Sequence, residues 1–142
     1  MTRANLNFVY DDKGKETILY YYQNGDQYPR GIRDFYHILD WLNDENKFNA
    51  KGFREWLGAN YKETKAIAYK NGNMTLVSNY EPTEIPAKPE KKTFTIMGDL
   101  TDYSYLFDSI HNKVKVLEWE ETIFEGTRQE FCKWLKNYKE EF

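Results

Sequence analysis

The sequence predicts an α+β fold: a mainly antiparallel sheet built from hairpins and packed by two or three amphipathic helices. Three observations predict it. Runs of β-branched and aromatic residues alternate with short turn-forming clusters, as the strands of hairpins do. Other stretches switch to apolar steps of three and four, the spacing of one helix face. Finally, 12 Tyr, 9 Phe and 4 Trp make up 18% of the 142 residues, enough rings to fill a core although 30% of the chain is charged. A disordered chain would lack those rings.

Asn5–Tyr10 alternates polar and apolar, with Leu6, Phe8 and Tyr10 on one face. Asp11-Asp12-Lys13-Gly14-Lys15 supplies turn chemistry, and Glu16–Tyr22 reads as the second strand of a hairpin. In that strand Ile18, Tyr20 and Tyr22 share one face and Tyr21 takes the other. Asn24-Gly25-Asp26-Gln27-Tyr28-Pro29-Arg30-Gly31 forces a turn. Ile32, Phe35, Tyr36, Leu39 and Leu42 then mark one helical face, ended by Asn43-Asp44-Glu45-Asn46. A shorter helix covers Phe53–Tyr61 with Phe53, Trp56 and Leu57 inward. Ala66–Tyr69 reads as either a helix tail or a short strand. Asn71-Gly72 is a hairpin-type turn before a strand at Met74–Val77.

Residues 81–90 hold three of the four prolines. They form either a surface crossover or a semi-rigid linker. The chain is thus one domain over residues 1–142, and the linker reading divides it into sub-lobes 1–80 and 92–142 joined by 81–91. Strand signals follow at Thr93–Ile96, Tyr103–Phe107 and Val114–Leu117, the last two joined by a hairpin connection over Asp108–Lys113. Thr127 and Glu130 have the spacing of a capping box, in which hydroxyl and carboxylate each take up the other's backbone amide. Phe131, Trp134, Leu135 and Tyr138 form the apolar face of the helix it opens, and Lys139-Glu140-Glu141 ends it as a solvated tail. The two halves share one order, strands and then an amphipathic helix.

Charge and composition narrow the functional classes. With 20 Lys+Arg against 23 Asp+Glu the net charge is -3, which argues against coating bulk DNA or RNA. Cys132 stands alone, so a disulfide framework and an all-cysteine metal site are excluded. No apolar run approaches the roughly 18 residues of a membrane span. Met1–Asn5 leads into no signal-peptide core, so the expected location is the cytosol. His37 and His111 lack the spacing of a zinc site. His37 reads as a packed or surface residue within the first helix, and His111 as a solvated residue at a hairpin tip. Cys132 reads as an inert thiol inside the last helix. Asp11, Asp12, Asp99 and Asp102 read as turn formers, and Gly14-Lys15 lacks the rest of a phosphate loop. No metal set, cofactor motif or catalytic constellation emerges.

The stretch from Tyr20 to Arg33 is the candidate site. Tyrosine rings stack on bases, arginines donate in pairs to phosphate, and amides at a helix start favour an anion. The residues assigned to a ligand are Tyr21, Tyr28, Arg30 and Arg33. Tyr21 faces away from Ile18, Tyr20 and Tyr22 and is expected at the surface. Tyr28 is held by Pro29, and Arg30 and Arg33 lie one helical turn apart. The competing reading packs the tyrosines into the core and leaves the arginines in solvent.

Tyr22-Gln23-Asn24-Gly25-Asp26-Gln27-Tyr28-Pro29-Arg30-Gly31, after an N-terminal hairpin, resembles a stretch in small proteins encoded by phages and prophages. Their counterpart reads Tyr-x-x-x-Asp-Gly-Tyr-Pro-x-Gly, often with histidine ahead of the aspartate. Asp102-Tyr103-Ser104-Tyr105 and Phe124-Glu125-Gly126-Thr127 also fit that group, whereas residues 48–92 are not covered. Gln27 replaces the usual glycine, and Asn24 stands where histidine is common. The resemblance implies a viral or mobile-element origin. Together with the site it leads to a counter-defence binding protein, most concretely a non-catalytic sponge for a nucleotide immune signal such as a cyclic oligonucleotide or an ADP-ribose derivative. Two rivals are a protein that inhibits a host defence complex through an acidic face at Glu118, Glu120, Glu121 and Glu125, and an enzyme that degrades the same nucleotide. Exposed aromatics also suit a homo-oligomer.

Overall fold

The computed structural model describes residues 2–61, 66–70, 73–77, 82–86 and 101–139. Strands β1 (Arg3–Asp12) and β2 (Lys15–Asn24) pair antiparallel, from Arg3 opposite Asn24 to Asp12 opposite Lys15. Lys13-Gly14 closes this hairpin, and both residues have positive φ, Gly14 at 88°. Next come helices α1 (Pro29–Asp34) and α2 (Ile38–Leu42), a 3-10 turn at Glu45–Lys47, and α3 (Ala50–Asn60). Three short strands follow: β3 (Ala66–Lys70), β4 (Asn73–Val77) and β5 (Thr83–Pro86). Strands β6 (Tyr103–Asp108), β7 (Lys113–Glu118) and β8 (Glu121–Gly126) lead into α4 (Arg128–Lys136).

The fold is α+β, with one mixed and mostly antiparallel sheet ordered β4-β3-β2-β1-β6-β7-β8. β5 lines up beside Thr17–Tyr20 of β2, and β3 beside Tyr22 and Gln23. Among the described residues only the β1–β6 pair is parallel. It joins strands from either side of residues 81–91 in one sheet.

The register builds the core in rows. Leu19, Phe8, Phe107 and Val114 lie side by side across β2, β1, β6 and β7; Tyr21, Leu6, Tyr105 and Val116 form the next row. All eight are buried, and the helices close over them with Ile32, Ile38, Trp41, Phe53, Trp56, Phe131 and Leu135. Phe8 stacks on Phe53 at 5.3 Å, and Trp41 meets the Phe107 ring edge-on at 5.4 Å. Each such ring removes on the order of 150–250 Å² from water, which is how a chain of low hydropathy fills a core.

The opposite face of β1 and β2 is buried as well: Asn5, Asn7, Val9, Ile18, Tyr20 and Tyr22 are all shielded. Period-two alternation therefore places each side chain on the correct face but does not decide exposure. Tyr21 is the clearest correction. It faces away from Tyr20 and Tyr22 as expected, yet it is 1% exposed because its face is the one the helices cover.

Three other expectations change. The helix read over Ile32–Leu42 is two helices, because the backbone turns left-handed at His37 (φ 52°) and Tyr36 N closes back on Gly31 O at 3.3 Å. Phe35 consequently leaves the core face and is exposed. β8 had no strand signal, since Glu121, Thr122 and Glu125 face solvent and a bulge opposite Val116 and Leu117 breaks the alternation. Thr83–Pro86, inside the proline-rich stretch, forms β5. It lies along β2, with Pro86 as its last residue, where the missing N–H is tolerated. Of the ambiguous stretch, Ala66–Lys70 is a strand. The Asn71-Gly72 turn and the Thr93–Ile96 strand lie outside the described residues.

Candidate functional site

The Tyr22–Gly31 loop is built around Gln27, which is fully buried. Its Nε2 donates to Gly25 O at 2.9 Å, and its Oε1 accepts from Tyr61 Oη at 3.1 Å. Its backbone carbonyl accepts from Tyr105 Oη at 2.7 Å. One residue thus ties the loop to the end of α3 through its side chain and to β6 through its backbone. Tyr28 caps α1 with extended backbone, and Pro29 occupies the first helical turn, where its missing N–H costs nothing. A Cβ on Gly31 would overlap the Asp26 carbonyl, so the Pro-x-Gly pattern reflects a close backbone approach.

The four assigned residues separate. Tyr21 lies in the core, donating to Gln23 Oε1 at 3.1 Å and meeting Tyr61 edge-on at 5.3 Å. Tyr28 is half-buried and packs on the core. Arg30 is half-exposed and lies 3.5 Å from Asp34. Arg33 pairs with Asp34 at 2.8 Å and turns its Nη1 to the end of α4, donating to Leu135 O at 3.0 Å and Tyr138 O at 2.7 Å. Both arginines therefore face one carboxylate, and the Arg33 hydrogen bond, more than Arg30, holds the Asp34 carboxyl below its ordinary range. Arg33 is a helix cap: its cation sits where the carbonyls of α4 point outward.

The site that sequence reasoning missed lies at the same end of α4. Phe124 of β8, Trp134 of α4 and Tyr138 just beyond its end form a run of rings, 5.0 Å and 4.8 Å between successive centroids. They line an open groove of about 590 Å³ with Glu130, Lys133, Asn137 and Lys139. The helical period explains it. Phe131 and Leu135 turn into the core, which leaves Trp134 and Tyr138 half-buried on the flank beside exposed Lys133 and Lys139. The usable signal is the Trp134–Tyr138 spacing, which periodicity alone assigns to the same apolar face as Phe131 and Leu135.

The groove, which runs to the C-terminal end of α4, sets two cations, Lys133 and Lys139, against one carboxylate, Glu130. Neither Lys133 nor Lys139 holds an ion pair among the described residues. The Glu130 carboxylate is engaged by the capping box: Oε1 accepts Thr127 N at 2.9 Å and Thr127 Oγ1 accepts Glu130 N at 3.1 Å. The first of these bonds pulls its carboxyl below the ordinary range. A smaller recess of about 280 Å³ beside α3 carries Asp40 and Glu55 against Lys47 and suits an anion less well.

The remaining candidates are structural. His111 Nδ1 lies 2.8 Å from Asp108 Oδ2 at the β6–β7 turn, where His111 is exposed and the Asp108 side chain is largely shielded. Burial pushes the Cys132 thiol up, away from a reactive thiolate, and its Sγ donates weakly to Leu42 O at 3.4 Å. Beneath the sheet, Asn7 Nδ2 donates to Asn5 Oδ1 at 2.8 Å and to Tyr105 O at 3.2 Å, while Asn7 Oδ1 is buried without a partner among the described residues. Among the described residues no group of His, Cys, Asp and Glu is arranged to hold a metal ion, and no helix is long and apolar enough to cross a membrane. No family model, curated protein or solved structure matches this chain.

Proposed function

We propose that this protein is a binding protein that sequesters a nucleotide signal, acting in phage counter-defence without chemistry of its own. The observation that carries this reading is the aromatic groove of β8 and α4 with two lysines at its rim. A base stacks on Trp134 or Tyr138, and phosphates meet Lys133 and Lys139. Base stacking on an aromatic side chain contributes about 1–3 kcal/mol, and the lysines add attraction for phosphate. A volume of about 590 Å³ lies within the usual range of small-ligand sites. The resemblance of the Tyr22–Gly31 loop to phage proteins supplies the context, and α1, which that loop opens, braces the end of α4 beside the groove through Arg33.

Titration calorimetry against cyclic dinucleotides, cyclic trinucleotides and cyclic ADP-ribose isomers tests the proposal. Wild-type protein is expected to bind one class. Trp134→Ala, which removes a flank ring and spares the buried Phe131 and Leu135, should weaken that binding at least fivefold. The ligand recovered after denaturation should be intact. Absence of binding across the panel, or recovery of a cleaved product, overturns the proposal.

A further inference from the structure

The β7–β8 hairpin closes through Trp119-Glu120, and both residues are left-handed, with φ 49° and 73°. A two-residue hairpin turn adopts this geometry to match strand twist, and Asn-Gly usually fills it because larger side chains crowd the backbone there. The β1–β2 turn follows the rule with Gly14 in second place; the β7–β8 turn has no glycine. The Trp119 ring gains no burial in exchange, being 61% exposed. Its mount is firm. Glu118 and Glu121 pair across the neck, Trp119 N donates to Asp102 O at 3.2 Å, and Tyr103 Oη donates to Glu118 Oε2 at 2.7 Å. A large ring on a fixed mount loses little freedom on docking, and buried tryptophans dominate interface energies.

We propose that Trp119 is the anchor of a protein-docking tip, whose partner is a protein segment with an apolar recess rimmed by lysine or arginine. The rim follows from charge. Glu118, Glu120 and Glu121 bracket the ring in sequence, the last two exposed, and the neighbouring Arg3 is held by Asp102 at 3.8 Å. A phosphate-bearing ligand is repelled here, so this surface is independent of the groove. A second copy meeting tip to tip would oppose like charges, which costs affinity.

The probe is a displayed random-peptide library, selected on wild-type protein and counter-selected on Trp119→Asn. Asparagine tolerates the left-handed turn, so this variant should fold with an equal or higher Tm. Enriched peptides should combine apolar residues that enclose the Trp119 ring with Lys or Arg, shift tryptophan emission to the blue and weaken with added salt. Trp119→Asn should lose at least tenfold in affinity. Glu120→Lys should weaken binding too, while Trp134→Ala should not. Enriched peptides without basic residues, equal binding to Trp119→Asn, or a wild-type dimer that this variant dissociates would each overturn the proposal.

Discussion

Two arginines three positions apart show how little a residue's type says about its role. Arg30 pairs with Asp34 in solvent at 51% side-chain exposure, and such pairs contribute about 0–1 kcal/mol. Arg33, on the same short helix, ends another helix 102 residues away by bonding Leu135 O. Hydrogen bonds to a charged donor contribute about 1.5–3 kcal/mol each way they are measured. Urea denaturation should therefore find Arg33→Ala destabilised by about 2 kcal/mol and Arg30→Ala by less than about 1 kcal/mol. Equal values for the two would remove Arg33 from its capping role. Gln27 makes the same point from the other side. It sits in a turn-forming cluster of Asn, Gly, Asp and Pro, yet it is a buried hub for Gly25, Tyr61 and Tyr105.

At the scale of an element, α4 was the most legible part of the chain and is also the most consequential. The Thr127–Glu130 box forms with both reciprocal bonds, and the apolar period sends Phe131 and Leu135 inward. Thr127→Ala should cost about 1 kcal/mol of stability and leave the helix start frayed, read as faster amide exchange at Glu130. A serine at the same position restores the cap. The helix over Ile32–Leu42 was less legible because each of its steps fits one continuous helix. What breaks it is local backbone: His37 enters the left-handed region, and α2 starts afresh from there. β8 hid for the opposite reason. An edge strand with charged, solvent-facing residues and a bulge presents no alternation, and those same features protect an edge from pairing with other chains.

For the whole molecule, the many tyrosines make stability depend on alkaline pH. Burial raises the phenol of Tyr61 well above 10.0, and burial likewise raises those of Tyr10, Tyr22 and Tyr36. A group whose folded pKa is raised stabilises the fold fully below its unfolded value and loses that contribution as pH climbs through the folded one. Tm should thus hold steady from neutral pH to near 10 and fall above it. Tyr61→Phe should flatten that fall, at a cost near neutral pH from leaving Gln27 Oε1 without its donor. A Tm that declines equally in both proteins would show that Tyr61 does not set the alkaline limit.

The sequence by itself determined which stretches are strands and helices over most of the described chain, because period-two and period-four patterns report which residues share a face. It determined the β1–β2 hairpin through Lys13-Gly14, the face shared by Ile18, Tyr20 and Tyr22, and the start of α4 through Thr127 and Glu130. These are local matters, settled within a few residues by turn chemistry and side-chain spacing. Only the tertiary structure decided that both faces of β2 are buried, which moves Tyr21 from candidate ligand to core. Burial depends on what other elements cover, and the helices over Tyr21 come from distant sequence. The parallel join of β1 to β6 and the capping of α4 by Arg33 are likewise contacts of about a hundred residues' separation. The Trp134–Tyr138 spacing sets those two rings on one flank of the chain, but only packing decides that Phe124 of β8 joins them in a groove.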